Sequence, residues 1–387
     1  MLKKKLPLQS GWFKKIYKHV GAGIALMLVL LLVIGALTSV KPTYRLYSDT
    51  MQKWTSQIKG ASFLYLFSLE HRAFKEAYPS DLEPPDLSTL SFQLATSLTP
   101  NDPRSLLGRE IPGLSRYHAE IIIAGEGTNY TNLPIESQAP IDVVLEDREA
   151  VDTGEEEQVD EPKESDGPTT GGKDVVFIYH SHNRESFLPN LPEGTEPNEA
   201  YHREVNITKV GDRLGKALEA HGIGTHVDHT DITTILQNKG WEFWKSYDAS
   251  RTVVTEAMAS NNDLQFIFDL HRDSMGKDVT TTEIDGKTYA KTIFVVGEEH
   301  PNYEKNLKLV TELHQLLEEK YPGLSRGVIR KKGSNVDGKY NQDLSQNAVL
   351  LEFGGVDNSF EELYRSADAF AEVFSEYYWD AEKVSTE

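Results

Sequence analysis

VVFIYHSHNRES, residues Val175–Ser186, sets an apolar run directly ahead of two histidines, an arginine and a glutamate. A short apolar run rich in β-branched and aromatic residues and bounded by polar ones reads as a buried strand. Its exit carries more titratable chemistry than a turn requires. Taken alone, a pair of histidines also suits a polar turn in which backbone carbonyls satisfy the rings, so the reading depends on what the neighbouring segments deliver.

Three further runs have the same character: LQFIFDL (Leu264–Leu270), KTIFVVG (Lys291–Gly297) and AVLLEFGG (Ala348–Gly355). Between and after them apolar residues recur at helical spacing, in Ile207, Val210, Leu214, Ala217 and Leu218, in Leu307, Val310, Leu313 and Leu317, and in Leu363, Ala367, Phe370 and Phe374. Strands alternating with helices of this length predict an α/β domain, a layered and mostly parallel or mixed sheet flanked by helices, over residues 174–387. In such sheets functional groups gather outside the carboxyl ends of the strands.

Three of the four strands end in unusual chemistry. The first runs into His180, His182 and Glu185. The second runs into Asp269, His271, Arg272 and Asp273, and the fourth holds Glu352 inside an otherwise apolar LLEFGG. A glutamate there is costly unless it is paired, hydrogen-bonded or near a cation. Converging strand ends would bring at least two histidines and two carboxylates together, the donor inventory of a catalytic zinc site. The chain has no cysteine, so thiolate ligands, thiol nucleophiles and disulfides are excluded. His182 and His271 are the expected ligands, with Glu185 or His202 as the third. Glu352 is the expected general base, and Arg272 would stabilise an oxyanion or orient a carboxylate. His221, His226, His229, His300 and His314 read as surface or helix positions.

The rest of the chain supplies context. The net charge of −20 argues against a nucleic-acid partner. Residues 1–19 carry Lys3, Lys4, Lys5, Lys14, Lys15 and Lys18 without an acid, and Val20–Val40 then runs 21 residues without a charge. That length spans roughly 30 Å as a helix, the thickness of a hydrocarbon core, and predicts a transmembrane anchor with a cytoplasmic basic tail. Everything from residue 41 is then extracytoplasmic. Residues 41–145 read as a smaller mixed region with a strand-like IIIAG and no catalytic constellation. Residues 146–173 read as an acidic flexible linker, with 11 acids between Glu146 and Asp166 against Arg148 and Lys163.

The phrases IYHSHNRESF, NITKVGDRLGKALEAHGIGTHVDHT, DLHRDS and LLEFGGVDNS, with LLGREIPGL and AGEGTNYTNLPIES before the linker, resemble the stage II sporulation protein P family of endospore-forming bacteria. The last domain is more distantly similar to zinc-dependent N-acetylmuramoyl-L-alanine amidases. That resemblance implies a zinc ion on His182 and His271 and a catalytic Glu352. It places the second ligand four residues before Asn206, where a glutamate is the rule and this chain has His202, so His202 and Glu185 both stay open. It further implies a peptidoglycan hydrolase of septal thinning and forespore engulfment, cutting the stem peptide from muramic acid and also peptide cross-links. Stage II sporulation proteins D and M are its implied partners in the septal and engulfing membranes. A scaffold that binds wall without cutting it is the alternative.

Overall fold

The computed structural model describes Phe67 and residues 119–386, except 135–138, 152, 155–160, 163–166, 302 and 334–335. The expected basic tail, the 20–40 span and LLGREIPGL lie outside the described residues. Among the described residues no helix is long and apolar enough to cross a membrane. Phe67 apart, they belong to the unit Arg104–Glu387, and the description is of that unit alone.

In chain order the elements are β1 (Ala119–Ala124), α1 (Ile141–Leu145), β2 (Asp174–Tyr179), α2 (Thr208–Ala220), β3 (Gly224–Val227), α3 (Ile232–Lys239), α4 (Ser246–Ser260), β4 (Phe266–Asp273) and α5 (Lys277–Thr280). There follow β5 (Thr281–Ile284), β6 (Lys287–Ala290), β7 (Thr292–Gly297), α6 (Tyr303–Lys320), β8 (Ser325–Lys331), β9 (Ala348–Gly355) and α7 (Phe360–Thr386). Seven strands form one mixed sheet in the order β1-β8-β7-β9-β4-β2-β3, with β5 and β6 as a separate hairpin. β2, β3, β4 and β9 run parallel. β7 is antiparallel to β9 and parallel to β8.

The two faces of the sheet separate by the period of two along each strand. Val176, Ile178, Phe268, Leu270, Val349, Leu351, Phe353 and Phe294 pack with α2, α6 and α7 into the main core. There Phe268 meets Phe374 at 5.0 Å and Phe370 at 5.8 Å between ring centroids. The opposite face begins apolar, with Phe177, Tyr179, Ile267, Val295 and Leu350 against Tyr247 and Val254 of α4. On β4 that face continues through Asp269, His271 and Asp273, and on β9 through Glu352. Because β2, β4 and β9 point the same way, their polar exits collect at one end of the sheet.

Two glycines are required where backbones or rings come close. A Cβ on Gly327, at φ 109°, would lie 2.0 Å from the carbonyl oxygen of Ile123, so only glycine lets β1 dock there. A Cβ on Gly211 would sit 2.4 Å from Nε2 of His180, whose ring fills the space between β2 and α2.

Ala119–Ala124 differs from its assignment to the 41–145 region. It is a strand, as IIIAG suggested, but it pairs antiparallel with β8 and closes one edge of the 174–387 sheet. Val144 of α1 likewise packs with Ile232, Leu236 and Phe243. The reason is an edge that needs covering: β8 carries unpaired backbone groups on its outer side until β1 takes them. His314 lies on α6, as a helix position, with its Nδ1 2.8 Å from Ser325 Oγ, whereas His300 is buried outside any helix and so differs from the surface or helix reading.

Candidate metal centre

The polar segment after β2 is folded back on itself. Glu185 bridges to Tyr201, the Ile207 N–H donates to the Glu185 carbonyl at 2.8 Å, and the His202 N–H donates to that of Arg184 at 2.9 Å. Asn206 opens α2, its Oδ1 accepting from the Thr208 N–H and hydroxyl at 2.9 and 2.7 Å. These contacts hold the Glu185 backbone rigid, and its carboxylate turns inward to β4, where the Arg272 N–H donates to Oε2 at 3.1 Å.

Around that carboxylate the two predicted histidines converge. His182 Nδ1 lies 3.4 Å from Oε1 and His271 Nδ1 lies 3.5 Å from Oε2. One donor atom from each of His182, Glu185 and His271 falls within 4.8 Å of the others, and all three residues are buried. Donors held 2.0–2.1 Å from a tetrahedral centre stand about 3.3 Å apart. The two spacings to Glu185 come close to that value, so the group could hold one ion, and two imidazoles and a carboxylate are donors that divalent zinc accepts.

The surrounding shell suits the same purpose. His271 Nε2 lies 3.0 Å from Asp269 Oδ1, and Asp269 accepts from the Ser181 N–H at 2.9 Å and hydroxyl at 2.6 Å. A carboxylate on the far nitrogen fixes ring orientation and leaves Nδ1 free for a metal. The His182 ring stacks on Phe243 at 4.6 Å and meets His271 edge-on at 4.8 Å. Burial disfavours charge on Glu185, but its contacts with the two histidines hold its carboxyl well below the usual range. Burial likewise opposes charge on His271, and Asp269 and Glu185 override it, raising the ring well above its ordinary value.

Glu352 stands beside this group. It is the ladder partner of His271 across β4 and β9 and lines the same pocket as His182, Glu185 and His271. Burial and the nearby Asp273 carboxylate push its carboxyl up to about 8, against the pull of Lys331, His271 and Arg326. Its Oε2 is buried without a hydrogen-bond partner among the described residues.

A family model described as stage II sporulation protein P matches residues 101–375. The chain is 48% identical over 379 residues to the stage II sporulation protein P of Bacillus subtilis (strain 168), covering 96% of this chain and 94% of that one. The chain belongs to the stage II sporulation protein P family.

The role of this family member is thus in sporulation, and its structure bears on each residue singled out above. His182, Glu185, His271 and Glu352 come together. His202 does not join them: its Nδ1 accepts from the backbone N–H of Glu204 and Val205 at 3.0 and 2.9 Å, which leaves that atom committed to the loop. Of the two candidates for the third ligand, Glu185 is the one at the site.

Arg272, expected to stabilise an oxyanion or orient a carboxylate, lines the same pocket. Its guanidinium donates to the carbonyls of Ser186 at 2.7 Å, Ala200 at 2.9 Å and Asp273 at 3.3 Å, beneath Tyr201. A side chain spent on three carbonyls braces the loop that carries Glu185 and is a positioning residue. Buried His180 takes no place in the donor set, and burial drops its ring to about 3, so it stays neutral.

Sequence reasoning did not assign roles to Asp269 and Lys331. Asp269 stands two residues before His271 on a strand, hence on the same face, which was a readable signal. Lys331 lines the pocket from the end of β8, a strand whose polar composition hid it.

Proposed function

We propose that this family member is a membrane-anchored, extracytoplasmic, zinc-dependent peptidoglycan hydrolase, an N-acetylmuramoyl-L-alanine amidase that also cuts peptide cross-links, acting in septal thinning and forespore engulfment. The observation that carries the proposal is the convergence of His182, Glu185 and His271 on one point with Glu352 in register beside them. A bound zinc ion supplies Lewis acidity, which activates water and polarises an amide carbonyl at neutral pH.

The chain's own residues do the rest. His182, Glu185 and His271 hold the ion, and Asp269 fixes the His271 ring. A cation beside Glu352 favours its carboxylate form and counters the effect of burial. The carboxylate accepts the proton of the attacking water and returns it to the departing amine nitrogen, so the amide becomes a carboxylic acid and a free amine. Phe243 and Tyr247, packed against His182, shield the site from bulk water.

The 21-residue apolar span and the lysines before it support an anchor with the bulk of the chain outside the membrane. Stage II sporulation proteins D and M are the proposed partners, on the strength of family membership. Mass analysis of sacculi digested by the full chain tests the proposal, because amidase action alone releases free stem peptides from intact glycan. Intact sacculi after incubation with zinc-loaded protein would leave the scaffold reading in its place.

A further inference from the structure

We propose that Lys331 is a specificity residue that binds a free carboxylate on the peptide part of the substrate, within a residue or two of the scissile amide. The inference rests on the hydrolase reading above and deepens it.

Lys331 is 4% exposed, and its side chain lines the pocket with Glu352 and the His182, Glu185 and His271 group. Every neighbouring base is spoken for. Arg330 pairs with Glu120 and Glu298, and Lys332 with Glu298. Arg326 pairs with Asp273 at 2.6 Å, and Arg272 binds three carbonyls. The Lys331 ammonium makes no hydrogen bond or ion pair with any described residue. The Glu352 carboxyl is the one acid whose charge it is known to feel, without a direct ion pair, and a buried ammonium that lacks such a pair is expensive, so the pocket is where a ligand would supply one.

Lys331 enters the pocket from a different strand than Glu352. The sheet order β8-β7-β9-β4 puts Lys331 two strands from Glu352. Lys331 is paired with Gly297 on β7, whereas Glu352 is paired with Ile293 on the same strand. Two strand spacings of roughly 4.8 Å and four residues of roughly 3.3 Å set the two Cα atoms about 16 Å apart. The side chains close part of that gap, and the remainder is the pocket, walled by Val295, Leu350 and Tyr340. Ammonium suits carboxylate binding as a compact point charge that selects an anion without demanding a fork geometry.

The test uses the full chain loaded with zinc and two probes: N-acetylmuramoyl-alanyl-glutamate with its α-carboxylate free, and the same compound with that group amidated. Wild type is expected to prefer the free carboxylate by about tenfold in kcat/KM through KM, Lys331→Met to handle both probes alike, and Lys331→Arg to keep the preference. A preference that survives in Lys331→Met, its absence in wild type, or a loss in Lys331→Met shared by both probes would overturn the proposal. Calorimetric titration of the same probes separates the two claims. If wild type cuts neither probe yet binds the free carboxylate about tenfold tighter than Lys331→Met does, the anion site stands and the hydrolase reading falls. Equal binding by the two proteins overturns the anion site.

Discussion

His271 on β4 and Glu352 on β9 face each other across a parallel ladder, so a histidine that turns Nδ1 to Glu185 has the buried Glu352 carboxyl as its lateral neighbour. The pairing places a carboxyl next to the donor group without adding it to that group, where the proposed hydrolysis needs its general base. Glu352→Gln should therefore keep the fold and the metal while wall hydrolysis falls by about 10²- to 10⁴-fold, the usual contribution of a general base. Circular dichroism and metal analysis beside the activity assay check this, and a variant with wild-type activity would remove Glu352 from the chemistry.

Asp269 touches His271 Nε2 and is not among the residues that line the pocket. Asp269→Asn should weaken metal affinity by about 10- to 100-fold, as losses of such outer partners do, with the loss recovered when zinc is raised. Competition against a chromophoric chelator measures it. An unchanged affinity would show that the 3.0 Å contact with His271 Nε2 does not orient the ring.

Arg326 and Asp273 form an ion pair that is almost fully buried, at 2.6 Å. Removing one partner strands the other charge, so Arg326→Met should cost about 3–5 kcal/mol in stability. Denaturant unfolding of the two proteins at pH 7 reads the difference, and a loss below about 1 kcal/mol would contradict the account.

Asp231 caps α3 and receives Arg184 at 2.7 Å and Asn183 at 3.0 Å, tying the segment after β2 to that helix. Burial raises its carboxyl, but the bonds from Arg184, Thr234 and Asn183 prevail and lower it to about 2 from an ordinary 3.8. A carboxylate with a depressed folded-state value stabilises the fold above pH 3.8, and that stability is lost as pH falls from there towards about 2. Asp231→Asn should flatten stability across this window and cost on the order of 2 kcal/mol at pH 7. Unfolding curves at a series of pH values decide it.

Much of the main core was legible because Phe268, Leu351 and Phe370 lie in runs whose period states their environment. β8 was not, since SRGVIRK buries Arg326 against Asp273 and Lys331 in the pocket, and a strand whose buried residues are charged reads as polar. The donor residues His182 and His271 were readable as strand exits. The choice between Glu185 and His202 was not, because it depends on how the loop from Glu185 to Asn206 folds back, which local spacing does not encode. The partners of Arg272 were hidden for a related reason: its guanidinium donates to carbonyls on a distant loop, which the residues beside it do not announce. The edge position of β1 was hidden for the same cause, a partner some two hundred residues away along the chain.

Metal stoichiometry of four single variants tests the central claim most directly. The account predicts one zinc per chain in wild type and in His202→Ala, and none in His182→Ala, Glu185→Ala and His271→Ala, each checked for folding. Zinc retained in Glu185→Ala and lost in His202→Ala would contradict it, returning the third ligand to the loop and dissolving the donor group that the buried carboxylate organises.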